Sequence, residues 1–260
     1  MKSKHRLLLL ILLFGFITIG SGCMSQEEKV LSYLEDKYNK EFEIEYSKEG
    51  SELFPKMYGG DNYVVHPKDN NEIVFSVEAL PDESGFADGY TTANWAYELE
   101  NFNKEAIDRY LPELSEFKIM LRASPGIITE NVDSKEIDAL IKESPEEFTV
   151  ILKTVVRTSN IPNVQEYSDA IYKLFNLVKG LKAKDYIVTV GFVDSESNIS
   201  DYIRTANVNN ISWENLDAKV YGFVTLDNRL APENPGNGVN PNLLINSKND
   251  VVNHYESLEE

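Results

Sequence analysis

The sequence predicts an α+β fold with largely antiparallel sheets and helices packed on one face. Three observations carry that reading. Short segments alternate apolar and polar residues with a period of two, as in Phe42, Ile44 and Tyr46 against Glu41, Glu43 and Glu45. Two long segments repeat apolar residues at helical spacing instead, beginning near Thr91 and near Asn163. The connections between strands are too short for most parallel crossovers, which need a dozen or more residues.

Taken in order, Ser25 and Glu28 have the spacing of a capping box and start a helix carrying Val30, Leu31, Leu34 and Tyr38 on one face. The alternating run from Phe42 to Tyr46 follows it as a half-exposed strand. Beyond the glycine- and aromatic-rich stretch 49–60, strands are expected at Tyr63–His66 and Glu72–Leu80, and the turn-forming residues 81–90 separate them from the next helix. That helix starts at Thr91 or Thr92, turns Trp95, Leu99, Phe102, Ala106 and Tyr110 inward, and stops before Pro112. Phe117, Ile119 and Leu121 form a strand, and Ser124-Pro125-Gly126 reads as a boundary.

In the second half, Asp133 with Glu136 opens a short helix through Lys142, and the apolar run Phe148–Val156 reads as an interior strand. Asn163 and Glu166 cap a helix whose buried face is Tyr167, Ile171, Leu174, Val178 and Leu181, ending near Gly180. Strands are expected at Tyr186–Val193, Tyr202–Val208 and Val220–Leu226. The tract Pro232–Pro241 cannot build a core and reads as a loop, after which Ser247 and Asp250 cap a final helical pattern of Val251, Val252, Tyr255 and Leu258. The resulting division is a targeting segment at 1–22, an N-terminal α+β module at 23–123, a C-terminal module at 132–230, and a linker with a short helix at 231–260. Lys40 to Ile44 and Glu146 to Val150 share a strand entry, which leaves two similar α/β modules as an open reading.

The amino terminus carries an address. Lys2, Lys4 and Arg6 precede an apolar run from Leu7 to Ile19, which is shorter than the ~20 residues that a spanning helix needs, and Gly20-Ser21-Gly22 place small residues before Cys23. The segment reads as a cleaved signal, and Cys23 is the only cysteine in the chain. These residues resemble a bacterial lipobox, with Gly20 where leucine is usual. Together with Tyr33-Leu34-Glu35-Asp36-Lys37-Tyr38 running into Glu41-Phe42-Glu43-Ile44, they look like the small exported lipoproteins of low-GC Gram-positive bacteria. The resemblance implies lipidation at Cys23, attachment to a membrane by palmitate-type acyl chains, and an extracytoplasmic location. It supplies no catalytic residues.

With 25 basic against 43 acidic residues the chain carries a net charge of −18, and cleavage before Cys23 would remove three cations and take it to −21. Nucleic acid is excluded as a partner, since no basic run exists beyond Lys179, Lys182 and Lys184. The membrane, through Cys23, and an envelope protein or wall glycan are the expected partners. No cofactor is expected. Zinc needs clustered His and Cys ligands, and beyond the leader the sequence offers only His66 and His254. The acidic loops around Asp61 to Asn70 and Asp82 to Asp88 lack the regular spacing of a calcium loop.

Ser115-Glu116-Phe117-Lys118 matches the S-x-x-K of penicillin-interacting enzymes, but its serine leads into a strand and the companion motifs are missing. No catalytic residue is assigned. The candidate binding residues are Tyr58, Tyr63, Phe86, Tyr90 and Trp95, rings set among glycines that would present flat apolar faces with polar tips. The functional expectation is a non-catalytic binding or interaction protein of the cell envelope. The alternative is a cell-wall or peptide hydrolase using Asp/Glu acid–base chemistry.

Overall fold

Two sheets share one helix. The computed structural model describes residues 24–50, 60–82, 84–130, 136–209, 211–231 and 240–258. Cys23 and Tyr58 lie outside them, as does Asp133. Helix α1 (Gln26–Tyr38) opens on the expected capping box: Ser25 Oγ accepts from the Glu28 N–H at 3.1 Å, and the Glu28 carboxylate accepts from the Ser25 N–H at 2.7 Å. Asn39 closes the helix in the left-handed conformation. Strands β1 (Phe42–Lys48), β2 (Asn62–Pro67), β3 (Phe75–Ala79) and β4 (Phe86–Asp88) then form an antiparallel meander in sequential order. The three-residue β4 falls within a stretch expected to be turn, too short to show a period.

Helix α2 (Tyr90–Asp108) follows. Its first turns, with Tyr90 and Ala93, pack against Phe42, Phe75 and Val77 of the first sheet. Further along, Trp95, Ala96, Leu99 and Ile107 enter the core of the second. The inward row includes Asn103, whose amide donates to the Leu99 carbonyl at 2.7 Å, while Phe102, expected inside, is 78% exposed. At 100° per residue position 103 continues the buried line from 99 and position 102 leaves it.

The second sheet takes β5 (Glu116–Ala123), β6 (Phe148–Thr158), β7 (Asp185–Asp194), β8 (Val220–Asp227) and β9 (Tyr255–Ser257) in that order. It is mixed: β6 and β7 run parallel, with helix α5 (Val164–Gly180) as the crossover, and the other pairs are antiparallel. The interior position expected for Phe148–Val156 is the one β6 occupies. Ser124-Pro125-Gly126 leads into helix α3 (Pro125–Glu130), and β5 on one side of it is hydrogen-bonded to β6 on the other along eight register pairs. A cut at 123 therefore falls between two strands of one sheet. Helix α4 (Ile137–Glu143) covers the same core as α5. Phe42 and Phe148 both open a strand and both are buried, but the first enters an edge strand and the second an interior one.

Two expectations are corrected. The segment expected as a strand at Tyr202–Val208 begins instead with helix α6 (Ser200–Arg204), because Tyr202, Ile203 and Ala206 bury at helical rather than alternating spacing. The final helical pattern becomes a 3-10 turn at Lys248–His254, with the Ser247/Asp250 capping box in place, and then strand β9 on the edge of β8.

Helix α6 also ties the sheets together. The Arg204 guanidinium grips the Glu45 carboxylate of β1 in a two-pronged pair at 2.7 and 2.8 Å and donates to the Asn71 carbonyl at 2.8 Å. No helix of the described residues is long and apolar enough to cross a membrane.

Because α2 serves both cores, Leu99→Ala is expected to cost about 2–5 kcal/mol. Denaturant unfolding followed by far-UV circular dichroism and by tryptophan fluorescence should shift together, and separate midpoints would show that the two sheets unfold independently.

Candidate functional site

The rings singled out in the sequence are mostly structural. Tyr63 (3% exposed) lies in β2, and its hydroxyl reaches Asp61 at 3.4 Å. Tyr90 sits inside a ring cluster, with Tyr38, Phe42 and Phe75 centroids 4.4 to 5.3 Å away. Trp95 packs edge-on against Phe148 in the other core. Among the described candidate rings, Phe86 is the one left half-buried, against Tyr33. The structure therefore sets these residues on strands and a helix and brings Tyr90 and Phe86 near one another around Asp88, while Trp95 belongs elsewhere.

Asp88 is the organising group there. Its side chain is fully buried and accepts from the Tyr33 and Tyr38 hydroxyls and the Lys37 ammonium, each at 2.7 Å, and from the Tyr90 N–H that starts α2. Burial alone would raise this carboxyl, but the hydrogen bonds from Lys37, Tyr33 and Tyr38 outweigh it and hold Asp88 below the usual carboxylate range. Burial pushes the Tyr38 hydroxyl up to about 12. Every donor is matched, which marks a clasp between α1 and α2 rather than a binding site.

A second charged group lines the cleft between β5, α2 and α6, a cavity of about 690 Å³. Burial raises Glu100, the kind of shift expected of a general acid, although Lys118 and the Ile119 N–H pull the other way. Its two oxygens are already engaged, however. One accepts from the Ile119 N–H at 2.8 Å and the other lies 3.5 Å from Lys118, which also reaches Glu72. Glu100 therefore satisfies the open edge of β5, the task that an edge strand imposes on whatever covers it.

Lys153 differs from both. It lies in the middle of β6, on the sheet face covered by α6 and the 3-10 turn Trp213–Asn215, and only 8% of it is exposed. Its register partner on β5 is another cation, Lys118, and on β7 it is Thr189. Like charges placed directly opposite one another destabilise a sheet pair. Lys118 escapes toward Glu72 and Glu100, whereas Lys153 stands over two rings, with its ammonium 3.9 Å from the Tyr202 centroid and 5.0 Å from that of Trp213. Among the described residues it has no carboxylate partner. Burial pulls its pKa down to about 8.

The rings are held by the chain around them. Trp213 Nε1 donates to Thr189 Oγ1 at 2.8 Å, the Tyr202 hydroxyl donates to the Ile211 carbonyl at 2.8 Å, and the two rings meet edge to face. Gly191 is the reason the indole can lie so close to β7, since a Cβ there would fall 2.5 Å from the Trp213 ring.

Lys153 lines a cavity of about 360 Å³ between β5, β6 and the segment after α6. The polar lining is Lys153, Arg122, Asn207, Asn209 and Ser212, with no carboxylate among the described lining residues, and the apolar lining includes Met120, Ile151 and Ile211. Arg122 is exposed at the rim. The Asn209 amide donates to the Tyr202 carbonyl and to Thr205 Oγ1, while its buried Oδ1 has no hydrogen-bond partner among the described residues. Sequence reasoning passed over Lys153, although one lysine inside an otherwise apolar interior strand was visible in Phe148–Val156.

No protein-family model matches the chain, and no curated protein matches it. It is similar to a solved structure, that of a DUF5037 family protein from Ruminococcus gnavus ATCC 29149, a member of the Firmicutes, with a TM-score of 0.53 and 15% identity over 76% of this chain and 89% of the other. At that identity the likeness concerns the fold alone.

Holding Lys153 charged at neutral pH costs stability, because the unfolded chain binds its proton more tightly than the folded one. From the usual 10.5 down to about 8, the cost is at most roughly 3 kcal/mol, less whatever the two rings return. Lys153→Met is accordingly expected to stabilise the protein at pH 7 by about 1 kcal/mol or more. That gain should shrink as the pH rises from about 8 through 10.5, where folded and unfolded chains both lose the proton. Denaturant midpoints for both proteins across this range test the sign, and a Met variant less stable at pH 7 contradicts it. Gly191→Ala should push the Trp213 ring away, shift its fluorescence to the red and cost about 1–3 kcal/mol.

Proposed function

We propose that this chain is a lipid-anchored, non-catalytic binding or interaction protein on the extracytoplasmic face of a bacterial membrane. The observation that carries the reading is the basic, apolar and small-residue succession ending at Cys23. The fold is consistent with acylation there, since Ser25 already caps α1 and the folded body begins two residues beyond the thiol. Two acyl chains on one residue make attachment effectively permanent, at about 0.8 kcal/mol per buried methylene. At −21 the exported form would be repelled by anionic lipid and anionic wall polymer, so the anchor alone would hold it in place.

The binding half of the proposal rests on the contrast between charged groups. Asp88 and Glu100 have their hydrogen bonds filled by the fold, whereas Lys153 keeps a charge beside open space. A cation buried without an acid destabilises the fold that carries it, which is the mark of a group retained for something outside the chain.

The test is metabolic labelling with an alkyne fatty acid in a Gram-positive host expressing the full-length protein. The wild type should carry the label, lose residues 1–22 and stay with membranes through a high-salt wash. Cys23→Ala should lose the label and remain uncut. An unlabelled wild type, or a variant processed like it, overturns the proposed anchoring.

A further inference from the structure

We infer that the cavity beneath α6 binds a small organic acid, its carboxylate held between Lys153 and Arg122 and its apolar body lying against Ile151 and Met120. This deepens the binding reading above by naming a ligand class, and it stands or falls independently of acylation at Cys23.

The first argument is charge placement. In a chain of net charge −18 this cavity gathers two cations and, among the described lining residues, no acid. The second is desolvation. Lys153 is more than nine-tenths buried and faces the quadrupoles of Tyr202 and Trp213, which soften the loss of water without neutralising the charge. An anion arriving beside it restores the missing partner where the dielectric is low and such a pair is strong. Arg122 at the mouth adds a planar fork suited to a carboxylate.

The remaining lining narrows the class. It is mixed, with Met120, Ile151 and Ile211 giving apolar surface beside a larger polar share, and about 360 Å³ lies at the small end of ligand cavities, large enough for a carboxylate with a short hydrocarbon or aromatic body. A phosphate would look for a cradle of backbone N–H groups at a glycine-rich turn, whereas Met120 and Ile151 face this cavity from paired strands whose N–H groups serve the ladder. The buried Asn209 Oδ1 is an acceptor, which favours a carboxylate carrying a neighbouring N–H or O–H donor. Covalent chemistry by Lys153 fits poorly. Among the described lining residues no carboxylate is at hand to move a proton, and the Tyr202 hydroxyl is committed to the Ile211 carbonyl.

Binding should depend on pH through one group. The charged or titratable groups on the elements around Lys153 include Lys118 and Arg122 on β5, Tyr202 on α6 and Glu214 on the 3-10 turn, whose carboxyl a Ser212 hydrogen bond holds below the usual range. Lys118 is paired with Glu72 and Glu100, and burial raises Tyr202 further from neutrality. Lys153, pulled down to about 8, is the group here whose charge falls between pH 7 and 9.

The experiment is calorimetric titration of the detergent-solubilised full-length protein with hexanoate, with its neutral counterpart hexanol, with 2-hydroxyhexanoate and with inorganic phosphate. Hexanoate should bind at one site at least tenfold more tightly than hexanol or phosphate, 2-hydroxyhexanoate at least as tightly, and hexanoate binding should weaken several-fold from pH 7 to 9. Lys153→Met should weaken hexanoate at least tenfold. Arg122→Gln, an exposed change that leaves the fold alone, should weaken it several-fold even where the Met variant proves poorly folded. Hexanoate no tighter than hexanol, phosphate tighter than hexanoate, the absence of all binding, or Arg122→Gln binding as the wild type does would each overturn the assignment. None of these results bears on whether Cys23 is acylated.

Discussion

The molecule depends on one helix being buried twice. A single sheet face and a single helix stripe each need a partner to leave water, and α2 supplies that partner to both sheets, through Tyr90 and Ala93 at its start and Leu99 and Ile107 further along. The same helix carries Glu100 to the edge of β5, where a carboxylate takes the place of a missing neighbouring strand. Asp88 fixes where the helix begins by accepting from its first N–H while binding Tyr33, Tyr38 and Lys37 of α1. Most of the buried charge in the N-terminal half is thus spent on holding α2 in place. It reads as structural chemistry even where a carboxyl has been raised.

Lys153 follows from that by contrast. Its position on an interior strand is fixed on both sides by ladder hydrogen bonds, so it does not reach a carboxylate as the equally buried Lys118 does on the edge strand beside it. Leucine or methionine would fill the same space without desolvating a charge, and the surrounding structure is built to accept the charge instead. Gly191 gives up a side chain so that Trp213 can lie close, Thr189 holds the indole, and the segment after α6 leaves open a cavity that Lys153 lines. Three separate concessions to one side chain are hard to account for by packing alone, which favours apolar residues at such a position.

Much of the fold was legible because amphipathic periods survive in single segments. The Ser25/Glu28 and Ser247/Asp250 caps, the interior character of Phe148–Val156 and the helix after Asn163 all stood in the sequence, though not the parallel crossover that this helix makes. What failed was decided by tertiary contact. Tyr202, Ile203 and Val208 read as strand because β-branched and aromatic residues favour strands, yet a helical turn buries Tyr202 and Ile203 on the β6–β8 face. Tyr255 pairs with β8 because that strand presented a free edge, which no local pattern records. The aromatic candidates misled for a related reason. Rings near glycines look like a loop platform in one dimension, and Tyr63, Tyr90 and Trp95 fold inward once strands and helix form around them. Tyr202 and Trp213, far apart in sequence from Lys153, became its neighbours only through sheet topology.

The charge balance and the cavity are two scales of one electrostatic design. A body this acidic repels small anions at long range, which slows their approach and leaves little room for adventitious anion binding across the surface. Screening confines that repulsion to about 8–10 Å at physiological salt, whereas the pair that Lys153 would form lies inside a low-dielectric wall where screening is weak. Discrimination would then come from depth: a fully solvated anion gains nothing at the surface, and only one whose apolar body can follow its carboxylate into the cavity recovers the cost of leaving water. This is how a strongly acidic protein can carry a selective site for an acid, and why the two cations belong in a recess lined by Met120 and Ile151 and not on the open face.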